Sequence, residues 1–148
     1  MDRKVRILVV DDEPSVIQYI STVLKQQGYE AFTARNGFEG LAKAKRLKPD
    51  LITLDIIMPM MDGYEVCDRL QRDPETAHIA VLMITARGEI DHLPRDTHRF
   101  RHHFNDRLQG YDVGAVDFMS KPFSIDELVR KVRALLWSSG LIDAPETQ

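Results

Sequence analysis

The chain has 148 residues, 43% of them apolar and 29% charged, the size and balance of one ordinary soluble domain with a sizeable core. Twenty basic against 23 acidic residues leave a formal charge of -3, so composition gives no overall attraction to nucleic acid or to an anionic membrane, and the expectation is no direct nucleic-acid binding. A single cysteine, Cys67, cannot close an intramolecular disulfide, no apolar run approaches the roughly 20 residues that span a bilayer, and the charged start Met1 to Arg6 is no secretory signal. A reducing cytoplasm, with no membrane contact, is the expected setting.

Val5 to Val10 is short and rich in β-branched residues and reads as a first strand. Pro14 and Ser15 open a helix whose face carries Val16, Ile20, Val23 and Leu24, and Gly28 stands where that helix should stop. Tyr29 to Thr33 is the second strand, and Asn36 with Gly37 opens a helix bearing Phe38, Leu41 and Ala42. Leu51 to Leu54 is the third strand, followed by a helix with Val66 and Leu70, and Ile79 to Ile84 is the fourth. Val116 to Met119 is the fifth, and Ser124 with Glu127 forms a capping box for a last helix with Leu128, Val132, Leu135 and Leu136 on one face. Strands alternating with helices, several of the strands almost wholly apolar, predict an α/β doubly wound parallel sheet covered on both faces. The domain is expected over 1–137, with a polar tail or linker over 138–148 that frays or leads into something further.

In an open parallel sheet, ligands bind beyond the carboxyl ends of the strands, where strand order reverses. Those ends are unusually polar here: Asp11, Asp12 and Glu13 follow the first strand, Asp55 ends the third, Thr85 the fourth, and Ser120 and Lys121 follow the fifth. Each aspartate alone would be an ordinary turn or cap residue, but the set occupies matching positions. Asp11, Asp12 and Asp55 converging in one crevice would repel one another and demand a counter-ion, for which Mg²⁺, a hard cation with a preference for carboxylate and water oxygens, is the natural choice. Lys121 suits one phosphoryl oxygen and the Thr85 hydroxyl another. Asp55 can then accept a phosphoryl group as an acyl phosphate, a reaction that needs positioning and charge neutralisation but no general base.

The pieces Val9-Val10-Asp11-Asp12-Glu13, Leu54-Asp55 with Met58-Pro59 and Met61-Asp62-Gly63, Ile84-Thr85-Ala86, and Phe118 with Lys121-Pro122-Phe123 resemble the motifs of response-regulator receiver domains, in their usual order, over roughly residues 4–137. The resemblance implies a flavodoxin-like five-stranded sheet in the order 2-1-3-4-5 and a two-component signalling role. It implies that Asp12, Asp55 and the Ile57 backbone carbonyl hold the metal, that Asp11 acts through metal-bound water, and that the Lys121-Pro122 bond is cis. Thr85 and Phe118 would form a switch pair acting on the surface of the fourth helix, fifth strand and fifth helix. Phe118 stands where Tyr is commoner. A sensor histidine kinase or phosphotransfer protein would be the donor, and a downstream protein or a missing effector domain the output, with a slight lean to a stand-alone receiver.

The spacing from Thr85 to Lys121 is roughly a dozen residues longer than the family's, with the surplus at about 88–106, before or within the fourth helix. Phe100, Phe104 and Leu108 at four-residue spacing predict a lengthened fourth helix. His98, His102 and Asp106 on one face read as a solvated basic face or partner surface before a transition-metal site. Arg107, Asp112, Asp117, Glu127, Lys131 and Arg133 are similar to charges that pair across a symmetric dimer in the family's transcription-factor branch, and a homodimer is a further expectation. Ile57 and Arg87 suggest slow self-dephosphorylation. An aspartyl phosphatase or phosphotransferase with turnover is disfavoured, because Ile57 stands where such enzymes place a second acid, and a flavin carrier because Asp11 to Glu13 would repel its phosphate. A phosphorylation-independent interaction module of the same fold is the alternative.

Overall fold

The computed structural model describes residues 3–86 and 113–143. Its strands are β1 (Arg6–Val10), β2 (Glu30–Ala34), β3 (Leu51–Asp55), β4 (Ala80–Ala86) and β5 (Val116–Lys121), and its helices α1 (Pro14–Gln26), α2 (Gly37–Leu47), α3 (Gly63–Arg72) and α4 (Ile125–Ser138). The expected fourth helix, with Phe100, Phe104 and Leu108, and the cluster of His98, His102 and Asp106 lie outside the described residues, as do Arg87, Arg107 and Asp112. The helix called α4 here is therefore the last helix of the sequence reading.

All strand pairs are parallel and the order is β2-β1-β3-β4-β5, as the resemblance implies. Side chains alternate across a strand, and the two faces of β1, β3 and β4 are both apolar. Leu8, Val10, Ile52, Leu54, Val81 and Met83 meet α2 and α3 through Ala44, Val66, Cys67 and Leu70. On the other face Ile7, Val9, Leu51, Leu82 and Ile84 meet α1 and α4 through Ile20, Leu24, Leu128 and Val132. Burial on both faces is what removes the alternating polar pattern from these strands. Among the described residues no helix is long and apolar enough to cross a membrane.

The expected caps Asn36 and Ser124 are in place, and Asp62 caps α3 in the same way. Asn36 accepts from the Glu39 amide at 2.8 Å, Asp62 from Glu65 at 2.9 Å and Ser124 from Glu127 at 3.0 Å. Two helices end in the same turn. After α1, Gly28 (φ 91°) donates to Lys25 O and Tyr29 to Leu24 O; after α4, Gly140 (φ 75°) donates to Trp137 O and Leu141 to Leu136 O. Both are Schellman motifs, whose left-handed position favours glycine. The second turn brings Leu141 and Ile142 back against the core beside α1 and α4, so residues as far as Ile142 pack on the domain where a fraying tail was expected.

At the end of the sheet away from the strand carboxyl termini, Asp50 gathers the chain. Arg3 reaches its two oxygens at 2.7 and 2.9 Å, the Arg6 amide donates to it at 2.8 Å, and its own amide donates to Arg6 O at 2.8 Å. Burial alone would raise the Asp50 carboxyl, but the Arg3 guanidinium and the Arg6 amide outweigh it and hold the group below the usual range. A lowered carboxyl contributes stability that is present above its unfolded pKa and is lost as pH falls through the folded one. Asp50→Ala should therefore cost about 1–3 kcal/mol at pH 7 in urea unfolding, with the gap to the native chain narrowing in acid; a cost that is constant with pH would contradict this account.

Candidate functional site

The carboxyl ends of β1 and β3 meet at the centre of the sheet, where the order turns from β2 on one side to β3 on the other. Asp11 and Asp55 are 2% and 4% exposed there, Asp12 is exposed, and one oxygen of each lies within 4.8 Å of the others. Asp11 is oriented from both sides. Its Oδ1 accepts from the Glu13 amide at 2.9 Å, and its Oδ2 lies 3.2 Å from Lys121 Nζ. The same ammonium is 3.6 Å from Asp55 Oδ1. Lys121 ends β5, and the bond to Pro122 is cis.

Asp55 is also held from the side of the following helix. Gly63 donates to Ile56 O at 2.7 Å, and a Cβ on Gly63 would sit 2.5 Å from Asp55 O and 2.8 Å from Ile56 Cα. Only a residue without a side chain lets α3 start this close to the strand end. Thr85 is fully buried at the end of β4, and among the described residues its hydroxyl has no hydrogen-bond partner. Phe118 pairs in register with Met83, two positions back from the Thr85–Ser120 pair, and is 39% exposed. The two members of the expected switch pair thus occupy different environments, one buried at the crevice and one outward on β5. Ile57, in the loop after β3, has a half-exposed side chain.

One ammonium faces three carboxylates. Burial, then the charge of Asp11, push the Asp55 carboxyl up to about 7, with Asp12 adding to the rise and Lys121 opposing it. Asp11 is raised as well, by burial that outweighs the Glu13 amide and Lys121. Burial would lower Lys121, but Asp55 and Asp11 outweigh it and hold its ammonium above the usual value. The oxygen-only donor set, its excess of negative charge and the orphaned Thr85 hydroxyl fit a hard divalent cation together with a phosphoryl group.

Sequence reasoning found the side chains Asp11, Asp12, Asp55, Thr85 and Lys121, and the structure brings all five to one end of the sheet. It did not find the Glu13 amide that fixes Asp11, since a backbone donor leaves no mark in residue type. Nor did it find the cavity of about 230 Å³ beside Lys121, lined by Ser15, Val16, Tyr19, Pro122 and Phe123, where the Tyr19 and Phe123 rings tilt at 5.9 Å. Of the charges expected to pair across a dimer, Lys131 and Asp117 lie 3.4 Å apart within the chain.

Residues 7–97 match the response regulator receiver domain family. The chain belongs to that family. It is 44% identical over 131 residues, 88% of its length, to the DNA-binding dual master transcriptional regulator RpaA of Synechocystis, of which it covers 48%. It is 39% identical over 134 residues, 90% of its length, to the phosphate regulon transcriptional regulatory protein PhoB of Pseudomonas aeruginosa, of which it covers 52%. The chain thus spans about half the length of the curated relatives it matches. The structure resembles the chemotaxis response regulator CheY4 of Vibrio cholerae with a TM-score of 0.72 and 27% identity, over 90% of this chain and all of that one.

These relatives overturn the expectation of no nucleic-acid binding, because RpaA is a DNA-binding regulator and matches along 88% of this chain. The net charge of -3 is that of a chain covering 48% of RpaA, and it carries no information about contacts made by the rest of that relative.

The raised Asp55 has a thermodynamic consequence. A folded pKa near 7, above the usual 3.8, means that the native state holds the proton more tightly than the unfolded chain; stability is then full below the unfolded value and falls as pH rises toward 7. Asp55→Asn removes the ionisation, so in chelator its advantage over the native chain should grow by on the order of 2 kcal/mol between pH 5 and pH 8. Urea unfolding at the two pH values measures this, and an advantage that does not change with pH would contradict the assignment.

Proposed function

We propose that this receiver is the phosphoacceptor of a two-component system, taking a phosphoryl group onto Asp55 from a sensor histidine kinase or phosphotransfer protein. The observation that carries the reading is the constellation itself: a buried carboxylate at a strand end, 3.6 Å from a lysine, beside two further carboxylates and a buried hydroxyl that has no partner among the described residues. An Asp55 oxygen attacks phosphorus in line, the P–N bond of the donor phosphohistidine breaks, and the imidazole leaves with the electron pair. The Lys121 ammonium neutralises one transferred oxygen and the Thr85 hydroxyl donates to another. Mg²⁺, when held by Asp11, Asp12 and Asp55 with the Ile57 carbonyl, supplies the remaining charge compensation.

Movement of Thr85 toward the phosphoryl group would free space for the Phe118 ring, which now sits half-exposed on β5, and so alter the surface that β5 and α4 present. The chain promotes only its own phosphorylation and a slow dephosphorylation, with Ile57 in place of a second acid. The DNA-binding nature of RpaA supports an output through transcription, and a homodimer on the switch surface would have to share or re-pair the Lys131–Asp117 contact. The cytoplasm is the matching compartment, where the buried Cys67 stays a thiol.

Intact-protein mass after incubation with a small phosphodonor tests this directly. One phosphoryl adduct should form with Mg²⁺, fall to background in chelator, and be absent in Asp55→Asn. A native chain that takes no adduct under any of these conditions would leave the phosphorylation-independent interaction module as the reading.

A further inference from the structure

The loop between β3 and α3 holds three methionines in sharply different surroundings. Met58 and Met61 are 7% and 2% exposed and belong to the core beneath α2 and α3, whereas Met60 between them is 80% exposed. The other described methionines, Met83 and Met119, are buried, and so is Cys67. Met60 has φ 70°, and the Met61 amide donates to Pro59 O at 2.8 Å. Together these define a γ-turn with a positive central φ, the rarer and more strained of its two forms. A side chain bearing a Cβ adopts this backbone only where its surroundings impose it, and here the buried Met58 and Met61 pin the loop on both sides. The result is a thioether held out in solvent, five residues beyond Asp55.

We propose that Met60 is a modification site at which a peroxide-class oxidant acts, leaving the buried methionines untouched and placing a polar sulfoxide on the loop that leaves Asp55. A sulfur lone pair attacks one peroxide oxygen; the S–O bond forms, the O–O bond breaks, and the second oxygen departs as water. Sulfur loses two electrons and the peroxide gains them, so no further reactant is needed. Exposure governs which thioether is reached, and a methionine reductase can reverse the change. The product turns an apolar side chain into a polar one on the surface that a protein phosphodonor would meet, outside the carboxylate and lysine cluster. This inference goes beyond the phosphoacceptor reading and stands without it.

The test is limited treatment of the full chain with dilute hydrogen peroxide, followed by proteolysis and mass spectrometry with fragmentation that separates Met58, Met60 and Met61. Met60 should gain one oxygen about tenfold or more faster than Met58, Met61, Met83 or Met119 in the folded protein, and the rates should converge in denaturant. Met60→Leu should lack the early adduct, although the comparison within the native chain decides the matter even if that variant folds poorly. Oxidation of any of the four buried methionines as fast as Met60, or a preference for Met60 that survives unfolding, would overturn the proposal.

Discussion

Three carboxylates brought against one ammonium at the end of a buried sheet is the constraint around which this domain is arranged. Asp11 and Asp55 are each at most 4% exposed, and charges so placed are costly unless compensated. Lys121 supplies part of the compensation, at 3.2 Å from one and 3.6 Å from the other. The remainder is the room left for a cation and for a ligand that brings its own need of one. The crevice is destabilised by its own charge, and that excess of negative charge is what suits it to a cation.

Such a crevice persists only if the strands that carry it cannot spread. β1, β3 and β4 are fixed by apolar contacts on both faces, so the positions of Asp11, Asp55 and Thr85 follow from core packing rather than from mutual attraction. Gly63 presses α3 onto the carbonyl of Asp55 itself, and Asp50 closes the opposite end of the sheet with hydrogen bonds to Arg3 and Arg6. Stability is thereby gathered at the core and at the far end, while the near end holds repulsion. A close-packed frame around an electrostatically strained site does not yield evenly to a change of charge there.

Much of this was legible in residue types. Apolar runs gave the strands to within a residue or two, because burial on both faces leaves no other composition available. Strand-end polarity picked out Asp11, Asp12, Asp55, Thr85 and Lys121 without reference to any family, whereas strand order came only with the resemblance, since periodicity is blind to which strand lies beside which. The second strand begins one residue later than read because the Tyr29 amide is committed to Leu24 O in ending α1. Gly28 was recognised as a helix stop, yet Gly140 in the same role was taken for linker, because the polar residues around it hid the return of Leu141 and Ile142 to the core. Backbone donors such as the Glu13 amide, and the positive φ of Met60, depend on conformation that residue type does not encode. The expectation of no nucleic-acid binding failed for a simpler reason: bulk charge was read from a chain that covers 48% of the DNA-binding regulator RpaA.

The most direct test of the central claim is calorimetric titration of the chain with Mg²⁺ at several pH values, in buffers of different ionisation enthalpy. If burial, and after it the charge of Asp11, raise Asp55 to about 7, Mg²⁺ should bind more tightly as pH rises from 6 to 8 and should release a fraction of a proton near neutrality. Binding of unchanged affinity across that range, with no proton released, would contradict the view that unrelieved carboxylate charge is what the site offers to a metal.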